Sequence, residues 1–151
     1  MATKENTSIN TSIIDEKVTK EELSLVRSYL LLTFIHKIFE RDCRIISKSG
    51  LFKTPHLYME LVSDATKKTS LMLQEITREL RLHDLKITTV RQDQRGVEAF
   101  YSCRGLQGEM NILWPGFRKE MLLRMRAYLG LSTELSMLSR DEDATGLVLT
   151  I

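Results

Sequence analysis

The stretch Tyr29-Leu-Leu-Leu-Thr-Phe-Ile-His-Lys-Ile-Phe39 is apolar on more than one face of any helix it forms. A helix that is apolar nearly all round must be buried on most sides. In a chain of 151 residues it is therefore either the central helix of one molecule or the seam between two copies. Its ends are marked in the sequence. Thr19 and Glu22 form a capping-box pair, in which the hydroxyl satisfies an orphan amide and the carboxylate reaches back. Gly50 supplies the left-handed residue that stops a helix running to about Lys48.

Downstream, Thr54 followed by Pro55 starts a second helix at the position where a missing amide costs nothing. That helix runs to about Asp64 and buries Leu57, Met59, Leu61 and Val62. Residues 64–69 (Asp-Ala-Thr-Lys-Lys-Thr) read as a short polar break, after which Thr69 or Ser70 opens a third helix ending near His83 and Asp84. The period then changes from helical to alternating. Residues 86–92 and 97–103 read as strands around the turn Asp93-Gln-Arg-Gly96, with Gly96 in the positive-φ position and Gly105 and Gly108 closing the hairpin. Residues 110–115 are either a short strand or a linker, and Pro115 opens a helix over 116–129 that ends at Gly130. The first 18 residues, rich in Thr, Ser and Asn, form an arm, with Ile13 and Ile14 available to dock. Residues 131–151 are a tail: a short turn of helix over 132–138, an acidic linker over 139–146, then Leu-Val-Leu-Thr-Ile.

The expected fold is α+β, mostly helical, with one domain over 19–130. Its order of long helix, helix, turn, helix, hairpin, helix resembles a winged helix-turn-helix domain with long flanking helices, most closely the MarR-like bacterial regulators. The tip Arg91-Gln-Asp-Gln-Arg-Gly is similar to the wing tip of that family. The resemblance implies a transcriptional regulator that binds duplex DNA, dimeric through helices 20–48 and 116–129.

The third helix carries a face suited to that role. Ser70, Gln74, Thr77, Arg78 and Arg81 share one side, opposite Met72, Leu73, Ile76 and Leu80. Arginine can read guanine bidentately, glutamine can pair with adenine, and hydroxyls can meet bases or phosphates. Lys67 and Lys68 would neutralise phosphates at the helix start, and Arg91 and Arg95 would reach the flanking backbone. The same residue types also make an ordinary solvated face, and Glu75 and Glu79 on its flank repel phosphate. The alternative function on this scaffold is a protein-interaction adaptor, using the Met-rich helix 116–129 and the apolar tail 147–151 as contact surface.

Charge and composition narrow the remaining classes. Residues 20–130 carry 19 basic and 13 acidic side chains, whereas residues 131–151 carry one basic and four acidic. A basic body with an acidic tail is compatible with nucleic-acid binding. Cys43 and Cys103 are 60 positions apart without a Cys or His cluster, so two reduced thiols are expected and no zinc site. His36 reads as a partly buried structural histidine, and His83 lies at a helix end, facing its carbonyls. No nucleophile–base set, phosphate loop or histidine pair at ligand spacing is visible, so a non-enzymatic protein without metal or cofactor is expected. The longest apolar runs are far short of the roughly 20 residues a membrane span requires, and nothing at the N-terminus resembles an export signal. A cytoplasmic protein is expected.

Overall fold

The computed structural model describes residues 17–131, which fold as three helices and a three-stranded antiparallel sheet. Helix α1 spans Lys20–Ser49 and α2 spans Pro55–Leu82. Strands β1 (Leu85–Gln92), β2 (Gly96–Cys103) and β3 (Leu106–Leu113) follow, then α3 (Trp114–Tyr128). The architecture is α+β and mostly helical, as the sequence implies.

Helix α1 is the centre of the molecule. Its capping box forms as read: the Glu22 amide donates to Thr19 Oγ1 at 3.1 Å and the Thr19 amide donates to Glu22 Oε1 at 3.0 Å. Gly50 ends it with φ +68°. Val26, Leu30, Leu31 and Ile35 are at most 1% exposed, so the apolar girth of α1 is buried within a single chain. One side packs on α2. Another meets β2, which presents Val97, Ala99, Tyr101 and Cys103 inward on alternate residues. The start of α3 closes the core with three edge-on aromatic contacts, Phe34 to Phe117 at 5.1 Å, Phe34 to Trp114 at 6.3 Å and Trp114 to Phe117 at 5.8 Å.

Several local expectations are corrected or settled, and Leu57 and Leu61, expected to be buried, are 65% and 50% exposed. The break over 64–69 is helix, and α2 runs unbroken for 28 residues, so no helix-turn-helix bend forms and no recognition helix begins at Thr69. The reason is packing. Ala65 and Thr69 are fully buried, and the hydroxyls of Thr66 and Thr69 donate to the carbonyls of Val62 and Thr66, each at 2.8 Å. The polar run therefore satisfies itself inside the helix. Residues 106–113 form a third strand, which pairs with β2 along its whole length. Gly96 does not take a positive φ; it is required because a Cβ there would sit 2.0 Å from the Ile112 carbonyl oxygen. Within the sheet the left-handed residues are Arg104 (φ +49°) and Gly105 (φ +83°), which make the two-residue turn between β2 and β3. Gly108 lies within β3 beneath the Tyr101 ring. The terminal expectations (Ile13 and Ile14, the turn over 132–138, the linker and the 147–151 strand) lie outside the described residues.

One buried charge joins the ends of these elements. Glu22 is 1% exposed, and Arg104 grips both its carboxylate oxygens, one at 3.0 Å. The Cys103 thiol donates to Glu22 Oε2 at 3.1 Å, and His83 Nδ1 lies 3.4 Å from the same oxygen. The Arg104 guanidinium holds the Glu22 carboxyl well below the usual carboxylate range, against the opposing effect of burial. A group depressed in the folded state stabilises fully above its unfolded value and loses that contribution as pH falls.

Two predictions follow from this packing. Glu22→Gln lowers the urea midpoint at pH 7, by on the order of 2 kcal/mol of stability for the charged hydrogen bonds lost. The difference from the parent shrinks as pH drops below 4.5, the unfolded-state value, because the parent then loses the same interaction. Gly96→Ala costs roughly 1–3 kcal/mol by overpacking, measured by thermal unfolding.

Candidate nucleic-acid interface

The face expected over 70–81 survives the loss of the bend, because an unbroken helix keeps the same angular spacing. Ser70, Gln74, Thr77, Arg78 and Arg81 line one open depression of about 450 Å³ on the C-terminal half of α2, together with Leu73, which was expected on the opposite side. No carboxylate lines it. Gln74, Arg78 and Arg81 are exposed, and Ser70 and Thr77 are half-buried. The Thr77 hydroxyl donates to the Leu73 carbonyl at 2.7 Å, so toward a ligand it offers only an acceptor. Five of the nine expected residues are thus brought together.

The other four lie elsewhere. Lys67 is exposed one turn before the depression. Lys68 points to another side of α2, where its ammonium donates to the Tyr128 carbonyl at the end of α3, at 3.3 Å. Arg91 stacks over the Phe100 ring, 5.7 Å from its centroid. It belongs to a separate cleft of about 210 Å³ between α1 and β1, which Tyr29, Thr33 and Lys37 also line. Arg95 sits in the exposed turn after β1. There the Asp93 carboxylate accepts the Arg95 and Gly96 amides at 2.8 and 3.1 Å, which hold its carboxyl below the usual range.

The α3 surface is largely engaged within the chain. Phe117 and Met121 are buried, Arg27 donates to Glu120 with its Nε at 2.8 Å, and Arg124 donates to the Ser28 hydroxyl at 3.2 Å. His36 bridges the two long helices, with Nδ1 2.8 Å from Thr69 Oγ1 and Nε2 3.2 Å from Glu40. That is the structural role its apolar setting suggests.

The Glu22–Arg104–Cys103–His83 cluster is the constellation that residue spacing does not reveal. Only the capping box marks Glu22, and Arg104 reaches it across 82 positions. Chemically it is a clamp. Burial, and then the neighbouring carboxylate, push the Cys103 thiol up to about 11, so it stays protonated and a poor nucleophile. No group of three or more side chains able to hold a metal ion occurs among the described residues. No helix among them is long and apolar enough to cross a membrane.

The two thiols should therefore separate by reactivity. At pH 8 the native protein is expected to react with a disulfide reagent at the half-buried Cys43 only, with Cys103 joining after unfolding; rapid labelling of both thiols in the native state would contradict this clamp.

Against known proteins, one family model, described as YhjD protein, matches residues 17–133. No curated protein and no solved structure matches the chain.

Proposed function

The chain belongs to the YhjD family, whose description names no activity, and we propose from its surface chemistry that it is a non-enzymatic duplex-DNA-binding protein. The carrying observation is the single open depression shared by Ser70, Gln74, Thr77, Arg78 and Arg81. Two guanidiniums, a carboxamide and two hydroxyls converge there without a carboxylate among them. A helix of roughly 10–12 Å diameter matches a major groove about 12 Å wide. Arg78, Arg81 and Gln74 supply base or phosphate contacts, while Lys67, Arg91 and Arg95 act outside the depression on the phosphate backbone. The described residues carry 20 Lys and Arg against 13 Asp and Glu, a net positive body of the sign that DNA attracts.

This reading differs from a winged helix in one respect. The helix that enters the groove is the second half of a long α2, stiffened by its packing on α1. Its approach is set by a rigid two-helix hairpin.

The test is fluorescence anisotropy of labelled random and source-genome duplexes, titrated from low to physiological salt. Binding that weakens steeply with salt is expected. Replacing Arg78 and Arg81 together by Ala should cost about tenfold or more in affinity and flatten the salt slope by about one per phosphate contact removed. Both side chains are exposed, so the variant should keep its fold. Failure to bind at low salt overturns the proposal and favours the protein-adaptor function.

A further inference from the structure

The buried core along α1 ends at Phe39, so the last turns of α1 and the first turns of α2 project beyond it as the end of a helical hairpin. Six of the twelve large apolar side chains exposed among the described residues fall within this end, over 45–61. Leu51, on the connecting loop, is 86% exposed, and Phe52 beside it stacks on Tyr58 at 5.4 Å. Ile45, Leu57 and Leu61 are the other three. Ile45 lies four residues before the end of α1, and Leu61 lies six residues after the start of α2. At a helical rise of roughly 1.5 Å per residue, the whole group sits within about 9 Å of the loop.

The charge of this end has one sign. Between Cys43 and Met59 the chain carries Arg44, Lys48 and Lys53 and no acidic residue. All three are exposed, and none forms an ion pair among the described residues. Three cations are fewer than the roughly four to eight that hold a basic segment on an anionic lipid surface by charge. Here the apolar side chains supply the remainder. An apolar face sinks about 5–10 Å into the boundary between headgroups and acyl chains, the depth over which this group is spread. Long basic side chains can lay their stems along apolar surface while the charge stays at the phosphates. Tyr58, with an apolar ring and a polar hydroxyl, suits the same boundary.

The same charges argue against a second copy as the occupant. A two-fold contact sets the same patch of both molecules face to face. It would bring Arg44, Lys48 and Lys53 of each copy together with no carboxylate of the patch between them, and like charges juxtaposed across an interface are costly. Duplex DNA would meet the cations but would leave Leu51 and Phe52 in water. A surface that is anionic outside and apolar beneath satisfies both kinds of side chain.

We infer that the end of the α1–α2 hairpin docks on an anionic lipid surface, with Leu51 and Phe52 inserted below the headgroups and Arg44, Lys48 and Lys53 against the lipid phosphates. The contact is peripheral and requires no helix to cross the bilayer. Leu61, the innermost of the group along α2, precedes Ser70 at the edge of the arginine-lined depression by nine residues, about 14 Å of helix. The two surfaces are separate, and lipid docking does not rest on DNA binding.

Flotation of the full chain with vesicles tests it, using phosphatidylcholine alone and equal parts of phosphatidylcholine and phosphatidylglycerol. Flotation with the anionic vesicles that weakens with salt, and far less with the neutral ones, is expected. Leu51→Ser with Phe52→Ser should weaken it about tenfold or more, and Lys48→Gln with Lys53→Gln should weaken it and flatten its salt dependence. All four side chains are exposed, so both variants should keep the parent's thermal unfolding. Arg78→Ala with Arg81→Ala should float as the parent does. An equal loss in that variant would reduce the binding to the general attraction of a basic body and overturn the inference. So would failure to float with anionic vesicles, or equal flotation with both compositions. A dimer in sedimentation velocity that Leu51→Ser with Phe52→Ser abolishes would assign the surface to a second copy and overturn it as well.

Discussion

The fold is organised around one buried carboxylate. Glu22 sits in the first turn of α1, yet its partners come from the end of α2 and from the turn between β2 and β3. A buried charge is costly unless paired and fully hydrogen-bonded. Here Arg104 supplies the countercharge, the Thr19 amide and Cys103 thiol satisfy the remaining acceptor sites, and no buried side-chain polar atom among the described residues lacks a partner. Arg104 also donates to the Lys17 carbonyl at 3.0 Å, so the chain just before α1 is drawn into the same knot. Breaking this contact would loosen three chain segments together.

From this knot the remaining geometry follows. It aligns the start of α1 with the end of α2, so the two long helices run antiparallel and meet along most of their length. The sheet then leaves α2 directly, through Asp84 in the left-handed region at φ +50°, and lies over the middle of α1. Since the middle of α1 already has neighbours on three sides, the exposed surface is carried by the outer faces of α2 and the sheet and by the far end of the helical hairpin.

Local signals in the sequence were legible where a single residue controls the backbone. Thr19, Glu22 and Gly50 delimit α1 to the residue, and the hairpin over 85–103 lies within one position of its expected strands. The signals misled where tertiary packing decides. The polar run over 64–69 resembles a turn until Ala65 and Thr69 are buried against α1, and Gly96 resembles a turn glycine until β3 is known to press on it. The arginine-bearing face was readable because helical spacing is unaffected by whether a break precedes it. The Glu22–Arg104 pair was not readable, since nothing local joins residues 82 positions apart.

The indole of Trp114, the one tryptophan in the sequence, opens α3 and donates its Nε1 hydrogen to the Asp93 carbonyl at the hairpin tip, at 2.6 Å. Its ring packs at the same time against Phe34 of the central helix. The molecule thus carries a native optical probe at the junction of its sheet and its helices. Intrinsic emission from this residue reports whether the sheet remains seated, without any label, and distinguishes events that open the core from those confined to the distant end of the helical hairpin.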